Sequence, residues 1–181
     1  MALQLRRDLL VEKQKWRVTL QNREFIPQHR IDAILTDDII AEVLQEYGLE
    51  PYELQEIKEK VVEGGKRTFA ILILCRIGKQ ISTFVQRSHT ELDVKLPLVR
   101  AVAEQYVGTD YADDFKDRQW ELIAPVFSKK EPHRLLEDGS ILPFISENRL
   151  TEEKEGSFGA IYEVEIPVSY THLTLPTILR V

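Results

Sequence analysis

The chain has 181 residues, of which 43% are hydrophobic and 30% are charged, and its formal net charge is −6. These proportions are typical of globular proteins and exclude an intrinsically disordered chain. Because the net charge is acidic, the chain has no overall attraction to phosphate backbones or anionic lipid. We therefore expect neither nucleic acid nor a membrane as a partner.

The single cysteine and the N-terminal segment bear on the cellular location. Cys75 ends an apolar stretch, 69–75, where a free thiol behaves as a small buried hydrophobe, and a lone cysteine excludes a disulfide framework. That stretch is far shorter than the roughly 20 residues that span a bilayer. Charges at 6–8 and 12–13 interrupt the N-terminal segment, so we expect no signal peptide. The expected location is cytoplasmic or nuclear, and the oligomeric state stays open.

Apolar residues at helical spacing predict the first elements. Residues 31–47 carry apolar side chains at steps of three and four, which predicts one helix, and Gly48 follows as a left-handed cap would. A second helix is predicted from Pro51 to Gly64 and Gly65, with its stripe on the following residues: Leu54, Ile57 and Val61.

The middle of the chain is harder to assign, because the first half of 66–88 is β-prone while its apolar residues recur at helical spacing. The period persists beyond the length of a strand, so we predict a buried helix. A loop over 90–99 follows, in which Pro97 favours an extended backbone at Leu96. A last short helix is predicted within 111–127, stopped by Pro125.

The character of the sequence changes after residue 127. Residues 128–145 are polar and turn-rich, which predicts a connector between a helical leader, 1–127, and a β structure. A β-hairpin is predicted from strands at 149–153 and 160–166 around a turn at 154–159, which holds the sequence KEGSFG. The predicted fold class is mainly α, a helical N-terminal region followed by an incomplete β-hairpin.

The turn of this hairpin resembles the glycine-rich loop of protein kinases, G-x-G-x-x-G-x-V. Gly156, Phe158, Gly159 and Ile161 fall on the second glycine, the aromatic, the third glycine and the valine of that pattern, while Lys154 stands at the first glycine. Taken alone, the glycines also fit a hairpin turn that needs positive φ. The stretches TFAILILC, LPL, DRQWELIAPVF and ILPF upstream resemble the N-terminal region of fungal protein-kinase-like proteins, and the resemblance covers roughly 31–166.

The resemblance implies that 146–167 is the start of a kinase N-lobe, with its first two strands and glycine-rich loop. In the intact parent it implies transfer of the γ-phosphate of Mg-ATP to a serine or threonine of a protein substrate. The cofactor-binding residues would be the following: Gly156, Ser157, Phe158 and Gly159 over the phosphates and Ile161 over the adenine. The lysine, glutamate and two aspartates that a kinase needs further on do not occur after Ile166. For the fragment we therefore expect no catalytic residues, no catalysis and no cofactor.

The last residues have a different origin in our interpretation. The sequence VSYTHLTLPT, from Val168 to Thr177, matches a translated sequencing adapter, a transposase end followed by its primer site. We therefore interpret 168–181 as adapter-derived and assign no role to His172, although a natural strand remains an alternative.

A second hypothesis belongs to another class, a non-enzymatic helical interaction module or pseudokinase leader. Its expected signature is an apolar surface patch on the helices of 31–85. No metal site is expected, because the remaining histidines are scattered and adjacent aspartates on a helix point apart. Aromatic residues of the last helix are expected to anchor it against the core. The residues concerned are His29, His89, His133, Asp37, Asp38, Asp113, Asp114, Phe115, Trp120 and Phe127.

Overall fold

The fold is mainly helical, as predicted, with short strands near both ends of the chain. The computed structural model describes residues 1–19, 21–88, 90–127, 135–149, 162–167, 170 and 178–180; at 162 and 178–180 it describes the backbone alone. The helices are α1 (Ala2–Gln14), α2 (Gln28–Ile34), α3 (Asp37–Glu46), α4 (Pro51–Gly64), α5 (Lys66–Leu74), α6 (Ile81–Arg87), α7 (Arg100–Val107) and α8 (Thr109–Arg118). The strands are β1 (Arg17–Val18), β2 (Arg23–Glu24), β3 (Ser146–Arg149), β4 (Tyr162–Glu165) and β5 (Ile178–Arg180).

The single helix predicted over 31–47 is two helices, α2 and α3. Leu35 leaves the helical conformation with φ −90° and ψ 69°, and Thr36 caps α3 by accepting a hydrogen bond from the Ile39 N–H at 3.4 Å. The apolar periodicity continues across the break, because Leu35 is buried like Ile31 before it and Ile40 after it. Periodicity alone therefore could not reveal the break.

The caps of α3 and α4 agree with the prediction. Gly48 has φ +66°, and its N–H donates to the Gln45 carbonyl at 3.0 Å. Pro51 opens α4, which ends at Gly64, and Ile57 and Val61 on its stripe are buried.

The β-prone half of 66–88 is helical, as predicted, but the segment is not one helix. In α5 every side chain from Thr68 to Leu74 is buried. The helix ends where Arg76 adopts φ +63°, and a 3-10 turn at Gly78–Gln80 leads into α6. The apolar pattern again runs through the break without marking it.

The region before residue 127 differs from the prediction in three places. Helix α7 was not predicted, and Gly108, at φ +80°, separates it from α8. Helix α8 ends at Arg118 and a 3-10 turn continues to Glu121, so Pro125 is not the residue that stops it. The hairpin of β1 and β2 makes the leader less than all-helical. Leu96 is extended, with ψ 140°, before the cis-bonded Pro97.

Two hydrophobic cores organise the described residues. Each of the eight helices contributes to the first, which we call the helical core. The other, which we call the second core, joins the β1–β2 hairpin and the connector to the C-terminal strands. Its buried members are Val18, Phe25, Ala124, Ile141, Phe144, Val164, Ile166 and Tyr170. The C-terminal sheet is antiparallel in the order β3-β4-β5.

The left-handed cap at Gly48 gives a direct test of the α3–α4 turn. We expect Gly48→Ala to lower the free energy of unfolding by about 1–2 kcal/mol, because an L side chain is disfavoured at positive φ and no neighbouring atom would crowd the added Cβ. Gly48→Asn should lose less, since asparagine tolerates this region. Urea unfolding checks both, with exposed Gln45→Ala on the same helix as the control; equal losses for alanine and asparagine would contradict the assignment.

Candidate functional site

The residues predicted to bind nucleotide lie outside the described part of the chain. They are Gly156, Ser157, Phe158, Gly159 and Ile161, together with Lys154 at the first glycine position. The structure instead describes the two strands that flank them. In β3 and β4 the antiparallel register pairs Ser146 with Glu165 and Arg149 with Tyr162. Residues 150–161 therefore connect two paired strands.

The β4 strand has one face in the second core. Val164 and Ile166 are 1% and 2% exposed, whereas Glu165 is exposed and Glu163 lies between. This alternation confirms the predicted half-buried strand over these residues. At the other end of the pair, the Ile145 N–H donates to the Glu165 carbonyl at 2.9 Å, which continues the pairing by one residue.

Tyr170 connects the second core to the helical leader. Its ring packs edge-on against Phe25 with centroids 6.0 Å apart, and its hydroxyl accepts the Gln28 N–H at 3.1 Å. Its carbonyl accepts the Phe127 N–H at 2.7 Å. Burial raises the pKa of the phenol. This residue lies within 168–181, the segment that the sequence analysis interprets as adapter-derived.

Polar contacts hold the described part of the connector against the first hairpin. The side-chain amide of Gln21 donates to the Ser140 carbonyl at 3.0 Å and accepts the Leu142 N–H at 2.7 Å. Arg23 donates to the Gly139 carbonyl at 2.6 Å. Gly139 lies directly on Trp120, where an added Cβ would be 2.2 Å from the indole. Trp120 thus anchors the connector, and Phe115, fully buried, belongs to the helical core.

A cleft of about 300 Å³ opens between the start of α5 and the connector. Arg67, Asp93 and Glu137 supply its charged groups, and Trp120 and Pro97 line its apolar side. Its volume is at the lower limit of about 300 Å³ for small-molecule sites. Arg67 also donates a hydrogen bond from its guanidinium to the side-chain oxygen of Gln28. Because two carboxylates and a single guanidinium line the cleft, and Gln28 already binds that guanidinium, the lining does not favour an anionic ligand.

Asp93, one of the charged residues of that cleft, has a structural role as a cap of α5. Its carboxylate accepts hydrogen bonds from the N–H groups of Arg67 and Thr68 at 3.0 and 2.8 Å and from the Thr68 hydroxyl at 2.8 Å. These donors belong to the first turn of α5, where N–H groups lack partners within the helix. Burial raises the pKa of Asp93, while the three hydrogen bonds oppose that shift.

Glu12 is buried in an ionic cluster that the sequence analysis does not single out. Its carboxylate accepts from Arg30 at 2.6 and 3.3 Å, from Lys15 at 2.8 Å and from the Trp16 indole at 3.1 Å. The Arg30 hydrogen bond is the main cause that lowers the pKa of Glu12 to about 2, against the effect of burial. This cluster connects α1 to α2. Nothing in the sequence distinguishes Glu12 from a surface glutamate, because its partner Arg30 is remote along the chain.

His89 and His133 lie outside the described residues, and the other residues weighed in the sequence take structural positions. Cys75 is buried, and burial strongly raises the pKa of its thiol, so it does not suit a nucleophile. Asp113 and Asp114 are exposed and pair with different arginines, Arg100 at 2.9 Å and Arg118 at 2.7 Å. His29 packs against Trp16. Among the residues with described positions, no cluster of three or more potential ligands could hold a metal ion.

The Glu12 cluster predicts a specific pH dependence. Since the folded pKa of Glu12 is near 2 and its ordinary value is 4.5, the stability it contributes is present above pH 4.5 and is lost as the pH falls toward 2. We expect Glu12→Gln to cost about 2 kcal/mol at neutral pH, and the difference from wild type should shrink over that window. Exposed Glu56→Gln is the control. An unchanged difference down to pH 2, measured by thermal unfolding, would contradict the assignment.

Comparisons with known proteins assign no family to the chain. No protein-family model matches it, and searches of curated proteins and of solved structures find no significant match. Within the described ranges, no helix is both long and apolar enough to cross a bilayer.

Proposed function

We propose that the chain is the N-terminal part of a fungal protein-kinase-like protein. Its intact parent would transfer the γ-phosphate of Mg-ATP to a serine or threonine of a protein substrate, in the cytoplasm or nucleus. The observation that carries the proposal is the antiparallel pairing of β3 with β4 on either side of residues 150–161. A protein kinase covers the phosphates with a glycine-rich loop, and here the sequence between the paired strands resembles that loop's pattern from its second glycine onward.

In this proposal the loop binds nucleotide mainly through its backbone. Gly156, Ser157, Phe158 and Gly159 would present N–H groups to the phosphates, because glycine lets a backbone approach anionic oxygens closely. Ile161 would cover the adenine, as the valine of the pattern does. Lys154 adds a side chain at a position where the pattern has glycine, so the parent is either an active kinase with an altered loop or a pseudokinase.

The far edge of β4 supports the same proposal. It pairs with β5, with Glu163 opposite Arg180 and Val164 opposite Leu179. An open strand edge is a template for another strand. If 178–180 is adapter-derived, the strand that occupies this edge in the parent would be the third strand of the N-lobe, which carries the lysine that contacts the phosphates.

A second candidate function is a helical protein-interaction module, favoured by an apolar groove on the helical core. Ala2 and Leu3 of α1 line it together with Tyr47, Ile73 and Ile77. Three of these residues lie in 31–85, where the module hypothesis expects its surface patch. The two functions are compatible, since a leader that binds a partner can precede a kinase lobe.

The kinase proposal predicts that this chain has no kinase activity. It also predicts that the natural coding sequence past Ile166 encodes the remaining kinase motifs. The chain should transfer no labelled phosphate from ATP to a generic protein substrate, because the lysine and aspartates that position ATP and its metal are missing. Calorimetry with Mg-ATP should show at most very weak binding, and saturable micromolar binding would contradict this.

The natural coding sequence past Ile166 should encode a strand with an A-x-K lysine and later H-R-D and D-F-G motifs; their absence would refute the kinase proposal.

Lys154 offers a test in the extended parent. If its side chain hinders the approach of ATP, Lys154→Gly should lower KM for ATP with kcat little changed, the pattern of a substitution that affects ground-state and transition-state binding equally. Lys129→Gly in the connector is the matched control. A rise in KM would show instead that the lysine contacts the nucleotide.

A further inference from the structure

The apolar groove lies at the C-terminal end of α5, away from the cleft at its N-terminal end. It encloses about 190 Å³ between α1, the end of α3 and the turn that follows α5. Leu3 is 80% exposed at its border, and Ile77 is half-buried within it. This volume is below the lower limit of about 300 Å³ for small-molecule sites. It suits the insertion of an apolar side chain from a peptide.

The floor of the groove requires glycine at one position. A Cβ added at Gly78 would be 2.0 Å from the Tyr47 hydroxyl oxygen, so a larger residue would displace the tyrosine. Burial, and then the neighbouring Glu46, raise the pKa of Tyr47 to about 12. The phenol is therefore uncharged at neutral pH, and the floor is electrically neutral.

The rim of the groove is basic, although the chain as a whole has a net charge of −6. Arg6, Arg76 and Lys79 surround the apolar floor. Arg6 is fixed there, because its Nε donates to the Leu74 carbonyl at 3.0 Å. Burial lowers the pKa of Arg6, and the positive charge of Arg76 adds to that shift.

The acidic groups next to this rim are already engaged. Glu46, beside Tyr47, binds the N-terminal ammonium at 2.7 Å and the Ala2 N–H at 2.8 Å. Asp114, whose charge also acts on Arg6, accepts a hydrogen bond from Arg118 at 2.7 Å. Arg76 and Lys79 are exposed, so their charges face solvent at the mouth of the groove.

Arg76 is held in a conformation that favours glycine. Its φ is +63°, and the end of α5 forms a Schellman motif: the Ile77 N–H donates to the Leu72 carbonyl at 2.9 Å and the Arg76 N–H to the Ile73 carbonyl at 3.1 Å. An L residue at this position is disfavoured relative to glycine. Because the side chain is exposed, it contributes charge to the rim rather than packing to the core.

We propose that this groove binds an acidic peptide segment of a partner protein. One apolar side chain of the segment enters between Leu3, Tyr47 and Ile77, and flanking carboxylates contact Arg6, Arg76 and Lys79. The inference rests on the second function proposed above and does not depend on the kinase proposal. Three cations are fewer than the 4–8 that typically mark a site for anionic lipid, which favours a peptide over a membrane surface.

The test uses the full chain and a fluorescein-labelled peptide of glutamates with a central pair of leucines at helical spacing. We expect saturable binding, detected by fluorescence anisotropy, and little binding when lysines replace the glutamates or serines replace the leucines. Lys79→Glu should weaken binding by about five-fold, because it replaces an attraction with a repulsion. Lys116→Glu on α8, which makes the same change of charge outside the groove, should leave binding unchanged, and Leu3→Ser should weaken it without loss of stability.

Arg76→Gly separates binding from folding. The glycine variant should unfold at higher urea concentration, because it relieves the positive-φ conformation, and should bind the acidic peptide several-fold more weakly, because it removes a rim charge. Opposite changes in stability and affinity cannot come from a general loss of structure. Unchanged affinity in Arg76→Gly would overturn the assigned role of the rim.

The remaining outcomes distinguish the inference from the function on which it rests. If the acidic and lysine peptides bind equally and Leu3→Ser binds neither, the proposal of an acidic partner is overturned, while the proposal of an interaction module still holds. Binding of neither peptide, together with sedimentation of the chain on phosphatidylserine vesicles, would overturn both in favour of a membrane surface. Equal weakening by Lys79→Glu and Lys116→Glu would place any peptide binding outside this groove.

Discussion

The burial of α5 is the constraint on which the rest of the helical structure depends. All side chains from Thr68 to Leu74 are buried, so this helix needs neighbours on every side, and α1, α2, α4 and α8 pack against it. The backbone groups at its two ends, which lack partners within the helix, form hydrogen bonds in two different ways. Asp93 caps the N-terminal end, and the Schellman motif with Arg76 closes the C-terminal end. Each end of α5 borders one surface feature. The cleft lies beside Arg67 at the N-terminal end, and the apolar groove lies beside Ile73 at the C-terminal end.

A second constraint joins the leader to the C-terminal strands. The second core draws Val18 and Phe25 from near the N-terminus, Phe144 from the connector, and Val164 and Ile166 from the hairpin. A sheet of two or three short strands needs a hydrophobic face to be stable, so the sheet of β3, β4 and β5 needs such a surface beneath it. In the proposed kinase-like parent, the leader would therefore support the strands that flank the predicted glycine-rich loop.

The sequence predicted what depends on local pattern and missed what depends on remote contacts. Helical spacing identified α5 despite its β-prone composition, and Gly48 was recognised as a cap because glycine favours positive φ. The breaks at Leu35 and Arg76 were missed, since the apolar stripe crosses both and an arginine gives no signal for a left-handed cap. The Glu12 cluster and the rim of the groove unite residues far apart in the chain, which periodicity cannot bring together. The nucleotide-binding loop stays a prediction of the sequence, because its residues lie outside those that the structure describes.

Amide hydrogen exchange of β4 measures most directly whether the second core holds the C-terminal hairpin. Phe25→Leu, which removes ring contacts with Trp16 and Tyr170, should cost about 1 kcal/mol. We expect faster exchange at Val164 and Glu165 with α5 amides still protected, whereas Phe84→Leu in the helical core should reverse that order. Unchanged β4 exchange in Phe25→Leu, with the second core loosened elsewhere, would contradict the claim.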